Sequence, residues 1–443
     1  MLDLKRYYTN AKSDPLFLIK AVLLLFTAAV WIVNVFFGFE YNKALLTVSA
    51  FVSLTSLAVA IFYCRKNWYA VIILAVIAVT VYSAWVDCMW FFVYRYEESI
   101  ASTSASMRMM CAYMLFSLAI LMFINKEFEK NIEGADHPLQ REVFNPLIVA
   151  GLLLLLCVIF FIGYDKPLDG NSRGELKPIF EYSLILFIFA YTYSGKRWYT
   201  LLPITLLLFA FAAKDLLYGG RKTAISLVIL LFILFLAERL SFVKLLPLAF
   251  IGLVGFSAIG HFRGNADFSL EQIKITISAM LQQRFAIDTM YSASYTGMTF
   301  IAAASEGIFT LTERLLTFVR FMASNIVGGG RIQNSNVSLM TAEYYLHWFG
   351  GVLPAYGYFF FGWIGTVISG AASGALIKLG NAKKTPLLKV FLLWVTCTSF
   401  SWVLYSPSYL LRGGLFMLTG YFACAIADSI SRKMLAFFKE KRV

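Results

Sequence analysis

The chain has 443 residues, of which 60% are hydrophobic and only 14% charged, with a formal net charge of +13. A soluble globular chain carries about 25% charge and about 45–50% apolar residues, so this one cannot bury its apolar surface in one core and still cover itself with charge. A soluble enzyme and a disordered chain are both excluded, and the mean hydropathy of +0.74 assigns the chain to a bilayer.

Runs of about 20 apolar residues cross the hydrocarbon as helices, because lipid cannot satisfy an open backbone. The sequence predicts about twelve such spans: 16–39, 44–63, 68–94, 106–124, 145–163, 178–194, 198–213, 223–237, 242–260, 350–378, 386–405 and 411–430. The 223–237 run is short, so its helix is expected to start earlier, near Leu217. The first nine spans form one bundle over residues 1–260. Residues 261–349 form a large outer loop. Residues 350–443 hold the last three spans and a basic tail. The expected fold is an all-α polytopic membrane protein with one large, partly helical loop.

Lys and Arg set the orientation. Lys5, Arg6 and Lys12, the pairs Arg65–Lys66, Lys196–Arg197 and Lys383–Lys384, and the tail from Arg432 to Arg442 fall on one side if the spans alternate. Both termini are therefore expected in the cytoplasm. Lysine dominates that side and arginine the outer one. Arginine is the better bidentate partner of phosphate, so the outer face points to an anionic ligand. The six cysteines all fall in apolar stretches and read as small hydrophobes.

The long loop carries structure of its own. Leu270, Ile273, Ile277, Met280 and Leu281 recur at helical spacing, with Gln272, Lys274 and Gln283 elsewhere, which predicts an amphipathic helix on the membrane surface. A second stretch, with Arg314 and Arg320 among apolar residues, reads as interfacial or re-entrant and stops at Gly328-Gly329-Gly330. No internal repeat is evident, which counts against a transporter built from two similar halves.

The chain has no P-loop, no GxGxxG after a strand, no HExxH and no zinc cluster, so neither a cofactor nor a metal is expected. Arg221, after Gly219 and Gly220 and next to Lys222, opens a short span. Arg263, Arg284, Arg331 and Arg412 lie on the same expected side, and together the five resemble a clamp for a pyrophosphate or another polyanion. Asp87, Glu181 and Asp215 sit at span ends, and Asp87 and Glu181 read as partners of those arginines. His261 and His347 bracket the long loop, and either fits a general base. Glu343 precedes His347 by one helical turn, so a helix would put both on one face, with Glu343 orienting the imidazole or serving as base itself. Tyr344, Tyr345 and Trp348 around them suit stacking on sugar rings.

In this plan, and in three local patterns, the chain resembles the Wzy-type O-antigen polymerases, the oligosaccharide repeat-unit polymerases of bacterial envelopes. The patterns are Gly219-Gly220-Arg221 opening a span, Arg263-Gly264 after a span, and Ala342-Glu343-Tyr344-Tyr345 followed by Phe349-Gly350-Gly351. Family members often have glycine where this chain has Ala342. The resemblance implies a bundle like that of the GT-C enzymes and O-antigen ligases, in the bacterial inner membrane, with a periplasmic active site. It implies a metal-independent glycosyltransferase of O-antigen and lipopolysaccharide synthesis. Such an enzyme takes a glycan from undecaprenyl pyrophosphate and adds it to the non-reducing end of another lipid-linked repeat. The implied partners are that lipid-linked oligosaccharide, the lipid bilayer and a polysaccharide chain-length regulator, with no nucleic acid. In this reading Arg221, Arg263 and Arg331 hold the pyrophosphate, with Arg284, Arg412 and Lys222 as further pyrophosphate-binding residues, and the base is His347, Glu343 or His261. The alternatives are an O-antigen ligase acting on lipid A-core and a flippase or other transporter of the lipid-linked unit.

Overall fold

The computed structural model describes residues 15–90, 100–126, 128, 143–166, 174–218, 220–237, 239–240, 244, 247, 252, 270–328, 331–347, 350–380 and 385–440. Among them the regular structure is helical, with two isolated β-bridges, Phe144 to Ser194 and Tyr164 to Leu176. Among the described residues seven helices have the length and apolar composition to cross a membrane, and shorter apolar helices accompany them. The chain is a membrane-embedded helical protein. It divides into two compact units, 1–133 with 279–382 and 402–407, and 134–278 with 383–401 and 408–443.

The first unit holds α1 (Pro15–Phe36), α2 (Lys43–Cys64), α3 (Trp68–Trp90) and α4 (Ser104–Phe123), matching the first four predicted runs. Side-chain caps set two of the starts. Asn42 accepts from the N–H groups of Ala44 and Leu45, and Thr103 from that of Ala105. α4 is the core of this unit and is buried along most of its length. Two of its polar side chains are satisfied inside: Ser117 bonds Ser53 at 2.7 Å and Tyr113 bonds Ser294 at 2.8 Å.

The segment predicted as a loop contributes α10 (Leu270–Gln282), α11 (Asp288–Ser305), α12 (Leu311–Val327) and the short α13 (Val337–Ala342). α10 and α12 answer to the two expected helices. α11 was assigned no element, yet it is buried over most of its length and packs on α3, α4 and the later α14 (Leu353–Leu379). Its hydroxyls, tyrosines and small residues read as loop composition. They suit a helix whose neighbours supply hydrogen bonds and close contacts. A methyl at Gly297 would press on Val352 and Ala355.

The run 350–378, read as one span, is not a continuous helix. Gly362 takes φ +64° and the chain reverses there. Thr366 donates to the carbonyl of Pro354 at 3.3 Å, and a methyl on Gly357 or Gly365 would overlap the other's carbonyl oxygen. A straight helix would hold two residues eight positions apart about 12 Å from one another. α14 is therefore a helical hairpin. Its longer arm packs on α4 through Gly370 and Gly374, which bring it onto the backbone of Phe116 and Ile120.

The second unit holds α5 (Pro146–Ile162), α6 (Pro178–Glu181), α7 (Ser183–Thr192), α8 (Trp198–Leu217), α9 (Lys222–Leu231), α15 (Pro386–Cys397) and α17 (Ser408–Glu440). α16 (Ser399–Leu404) follows α15. The predicted run 178–194 is broken at Tyr182, and 386–405 is broken at Thr398. The helix expected to start near Leu217 starts instead at Lys222. Leu217 ends α8, and the N–H of Gly220 turns back to the Asp215 carbonyl at 2.7 Å. The carboxylate of Asp215 then accepts the N–H of Ala224 at 2.8 Å and caps the new helix from outside it. The run 242–260 lies almost wholly outside the described residues.

A Gly365→Ala substitution should cost about 1–3 kcal/mol through overpacking of the hairpin, read as a lower thermal midpoint in detergent. Gly151→Ala on α5, where a methyl meets nothing within 4 Å, should be neutral or stabilising. Equal midpoints for both variants would argue against the fold-back.

Candidate functional site

In the second unit Lys222 is the organising cation. It is 9% exposed and Arg221, the residue before α9, is 8% exposed. The ammonium of Lys222 meets both carboxylate oxygens of Glu181 at 2.9 and 3.0 Å and lies 3.5 Å from the ring centre of Tyr409. Glu181 thus has the pairing role expected of it, but its partner is this lysine. Lys222 was expected to bind pyrophosphate, and its charge is instead engaged by Glu181. Arg412 stands one helical turn after Tyr409 on α17 and acts electrostatically on Tyr182. The structure therefore brings Arg221, Lys222 and Arg412 into one region of this unit.

A cleft opens beside them, lined by Glu181, Tyr182, Lys222, Thr223, Trp394 and Tyr409 among others. Tyr182 stacks on Trp394 at 6.3 Å, and Gly413 lets α17 press against the indole. The Thr223 hydroxyl and the Trp394 indole N–H are buried with no hydrogen-bond partner among the described residues. Buried polar groups are nearly always paired, so these two are spare hydrogen-bonding capacity facing a cleft. The free space inside is about 20 Å³, room for roughly one water. A larger ligand must seat at the mouth or move Tyr409 or Trp394.

The remaining predicted residues belong to the first unit or lie outside the described residues. His261, Arg263 and Trp348 fall in the latter group. Arg284 is exposed at the end of α10 and stacks on Trp90 at 3.5 Å, while Arg331 is exposed after α12. No bond or ring contact joins these two arginines among the described residues. Glu343 and His347 do not share a helical face, because α13 ends at Ala342. Its last turn is loosened by Thr341, whose hydroxyl bonds back toward the carbonyls of Val337 and Ser338. The ring of His347 bonds that hydroxyl at 3.1 Å instead, and Glu343 is exposed. Burial lowers His347 from its ordinary 6.5 to about 4, so the imidazole is neutral at physiological pH. The Tyr345 hydroxyl donates to Glu306 at 2.6 Å, and burial together with that carboxylate raises its pKa. Tyr344 is exposed and edges onto Phe309.

The sequence reading missed Tyr182, Thr223, Trp394 and Tyr409. One signal was present: Thr396, Thr398, Ser399 and Ser401 put four hydroxyls into an apolar run, and polar residues inside a membrane are functional suspects. Comparison with protein-family models, curated proteins and solved structures found no match to this chain.

Two outcomes are expected. Glu181→Gln should lower stability by about 3 kcal/mol by leaving Lys222 buried without its carboxylate, and Lys222→Met in the same chain should restore most of the loss. Thermal midpoints of the wild type, the single variant and the double variant decide this. Between pH 6.5 and about 4 the unfolded chain binds a proton at His347 that the folded chain does not, so acidification through that window favours unfolding. The His347 resonance in histidine-labelled protein should stay unchanged from pH 7 to 5. A shift centred near 6.5 would contradict the buried, neutral ring.

Proposed function

We propose that the chain is a Wzy-type polymerase, a glycosyltransferase of the bacterial inner membrane that joins lipid-linked oligosaccharide repeat units at the periplasmic face. The observation that carries this reading is the region around Arg221, Lys222 and Arg412, where cations adjoin an aromatic cleft with spare polar groups inside an apolar bundle. Cations favour a departing pyrophosphate as its charge grows, and they act more strongly where water is scarce. Stacked aromatics such as Tyr182 and Trp394 suit the faces of sugar rings.

The reaction breaks the bond between the donor sugar's anomeric carbon and the pyrophosphate oxygen. A new bond forms from that carbon to an acceptor hydroxyl oxygen. The hydroxyl proton passes to a base, and the lipid pyrophosphate leaves with the electron pair of the broken bond. The base in this reading is His347, Glu343 or His261. The termini face the cytoplasm in this reading, and a chain-length regulator is the expected protein partner.

The test is transfer by the purified protein in liposomes, given the undecaprenyl-pyrophosphate-linked repeat unit of its host. The expected product is a ladder of added repeats. Arg221→Gln should reduce its rate by about 100-fold, as loss of a transition-state donor does, and Trp394→Phe should reduce it less. Transfer only to lipid A-core would make the protein a ligase. Movement of the lipid-linked unit across the membrane without any transfer would replace the enzyme reading with a transporter.

A further inference from the structure

The first unit contains a pair of arginines that the function above does not use. Arg108 lies on α4 and Arg314 on α12, and both reach the hairpin of α14 just before its turn. Arg314 donates to the Phe359 carbonyl at 3.2 Å, and Arg108 donates to the Tyr358 hydroxyl at 3.5 Å. Tyr358 also interacts electrostatically with Arg314, so the two guanidinium groups converge on neighbouring residues. The face of Arg108 rests on Phe39 at 4.6 Å, and Phe39 stacks on Trp363 at the start of the second arm.

No carboxylate among the described residues pairs with either arginine. Glu313, next to Arg314, is turned to Thr310, whose N–H and hydroxyl hold it at 2.8 Å and keep its carboxyl below the ordinary range. Glu306 is taken by Tyr345. Glu40, next to Phe39, forms no ion pair with Arg108 among the described residues. Both arginines are half-buried, and the Nε of each is buried without a hydrogen-bond partner. A guanidinium carries five N–H donors, and one bond apiece leaves most of them open. Two half-buried positive charges that reach adjacent residues are each costly to leave without a counter-charge, and an anion held by both would offset that cost. The Tyr358 hydroxyl receives a bond from Arg108 and keeps its own proton to donate.

We propose that Arg108, Arg314 and Tyr358 form an anion-binding site for a phosphate or pyrophosphate group. The group is either free or carried by a lipid headgroup. Capping the Phe359 carbonyl accounts for Arg314 alone, and stacking on Phe39 accounts for Arg108 alone. Neither accounts for their convergence without a carboxylate. If the polymerase function above holds, the site would seat the pyrophosphate of a second lipid-linked glycan, a use that rests on that function. The binding itself does not.

The test is binding without any glycan. The full chain is placed in phosphatidylcholine nanodiscs, and the thermal midpoint is followed against inorganic pyrophosphate. A second series adds phosphatidic acid to the nanodiscs. The wild type should be stabilised by one or both probes. Arg108→Gln and Arg314→Gln should each weaken the apparent affinity about tenfold, and Tyr358→Phe should weaken it several-fold while keeping the ring. Arg320→Gln, on the same helix as Arg314, should leave it unchanged. Arg314→Lys keeps a charge and a donor, and should retain part of the binding if Arg314→Gln fails to fold. Response to pyrophosphate supports a soluble anion, and response to phosphatidic acid alone supports a lipid headgroup. No response in the wild type would overturn the site. So would variants that lose stability yet bind as the wild type does, since that is the behaviour of purely structural arginines.

Discussion

Where α14 reverses, the backbones of Gly357 and Gly365 touch directly, and that contact fixes what surrounds it. Side chains at either position would hold the two arms apart. With the arms closed, the Tyr358 hydroxyl and the Phe359 carbonyl are presented to Arg108 and Arg314. The same arm carries Phe359 against Phe300 and Phe309, and those rings support His347 and Tyr344. Polar and aromatic groups from separate stretches of chain are thus positioned by one close approach of main chain to main chain. Polar backbone at membrane depth survives only where protein groups satisfy it. Arg314 does so for the carbonyl near the turn.

The two units treat their cations differently. In the second, Lys222 is matched by Glu181 and covered by Tyr409, and the helix start beside it is capped by Asp215. The charge of Lys222 is thus matched, and the spare hydrogen-bonding capacity of this arrangement includes the Thr223 hydroxyl and the Trp394 indole N–H. In the first, Arg108 and Arg314 are held by a hydroxyl, a carbonyl and a ring, none of which carries a negative charge. Glu313, the acid adjacent to Arg314 in sequence, is spent on a capping box at the start of its own helix.

The fold was legible wherever a helix was apolar throughout. The runs that became α1 to α5 announced themselves by composition, and the caps at Asn42, Asn145 and Thr385 agree with their starts. Legibility failed where tertiary contacts decided the outcome. α11 is rich in Ser, Thr, Tyr and Gly, and its burial depends on partners such as Tyr113. The reversal at Gly362 is invisible because glycine is common in apolar runs and only the pairing of Gly357 with Gly365 gives it away. For the site, the cation-bearing segment around Arg221 was readable and its ion pair was foreseen in kind. The aromatic walls were not, since Trp394 and Tyr409 look like ordinary residues of a span. Arg108 escaped notice because one arginine near the end of a span ordinarily snorkels to water.

The buried α11 also bears on how the protein is made. It lacks the hydropathy of long apolar helices such as α1 and α2, yet most of its surface is covered by α3, α4 and α14. A segment of that polarity gains nothing from partitioning into lipid by itself. Its slot is incomplete when it leaves the ribosome, because the hairpin that closes it follows more than forty residues later in the chain. Biogenesis therefore cannot be a simple sequence of independent insertions. Full burial of α11 depends on α14 as well as on the helices that precede it.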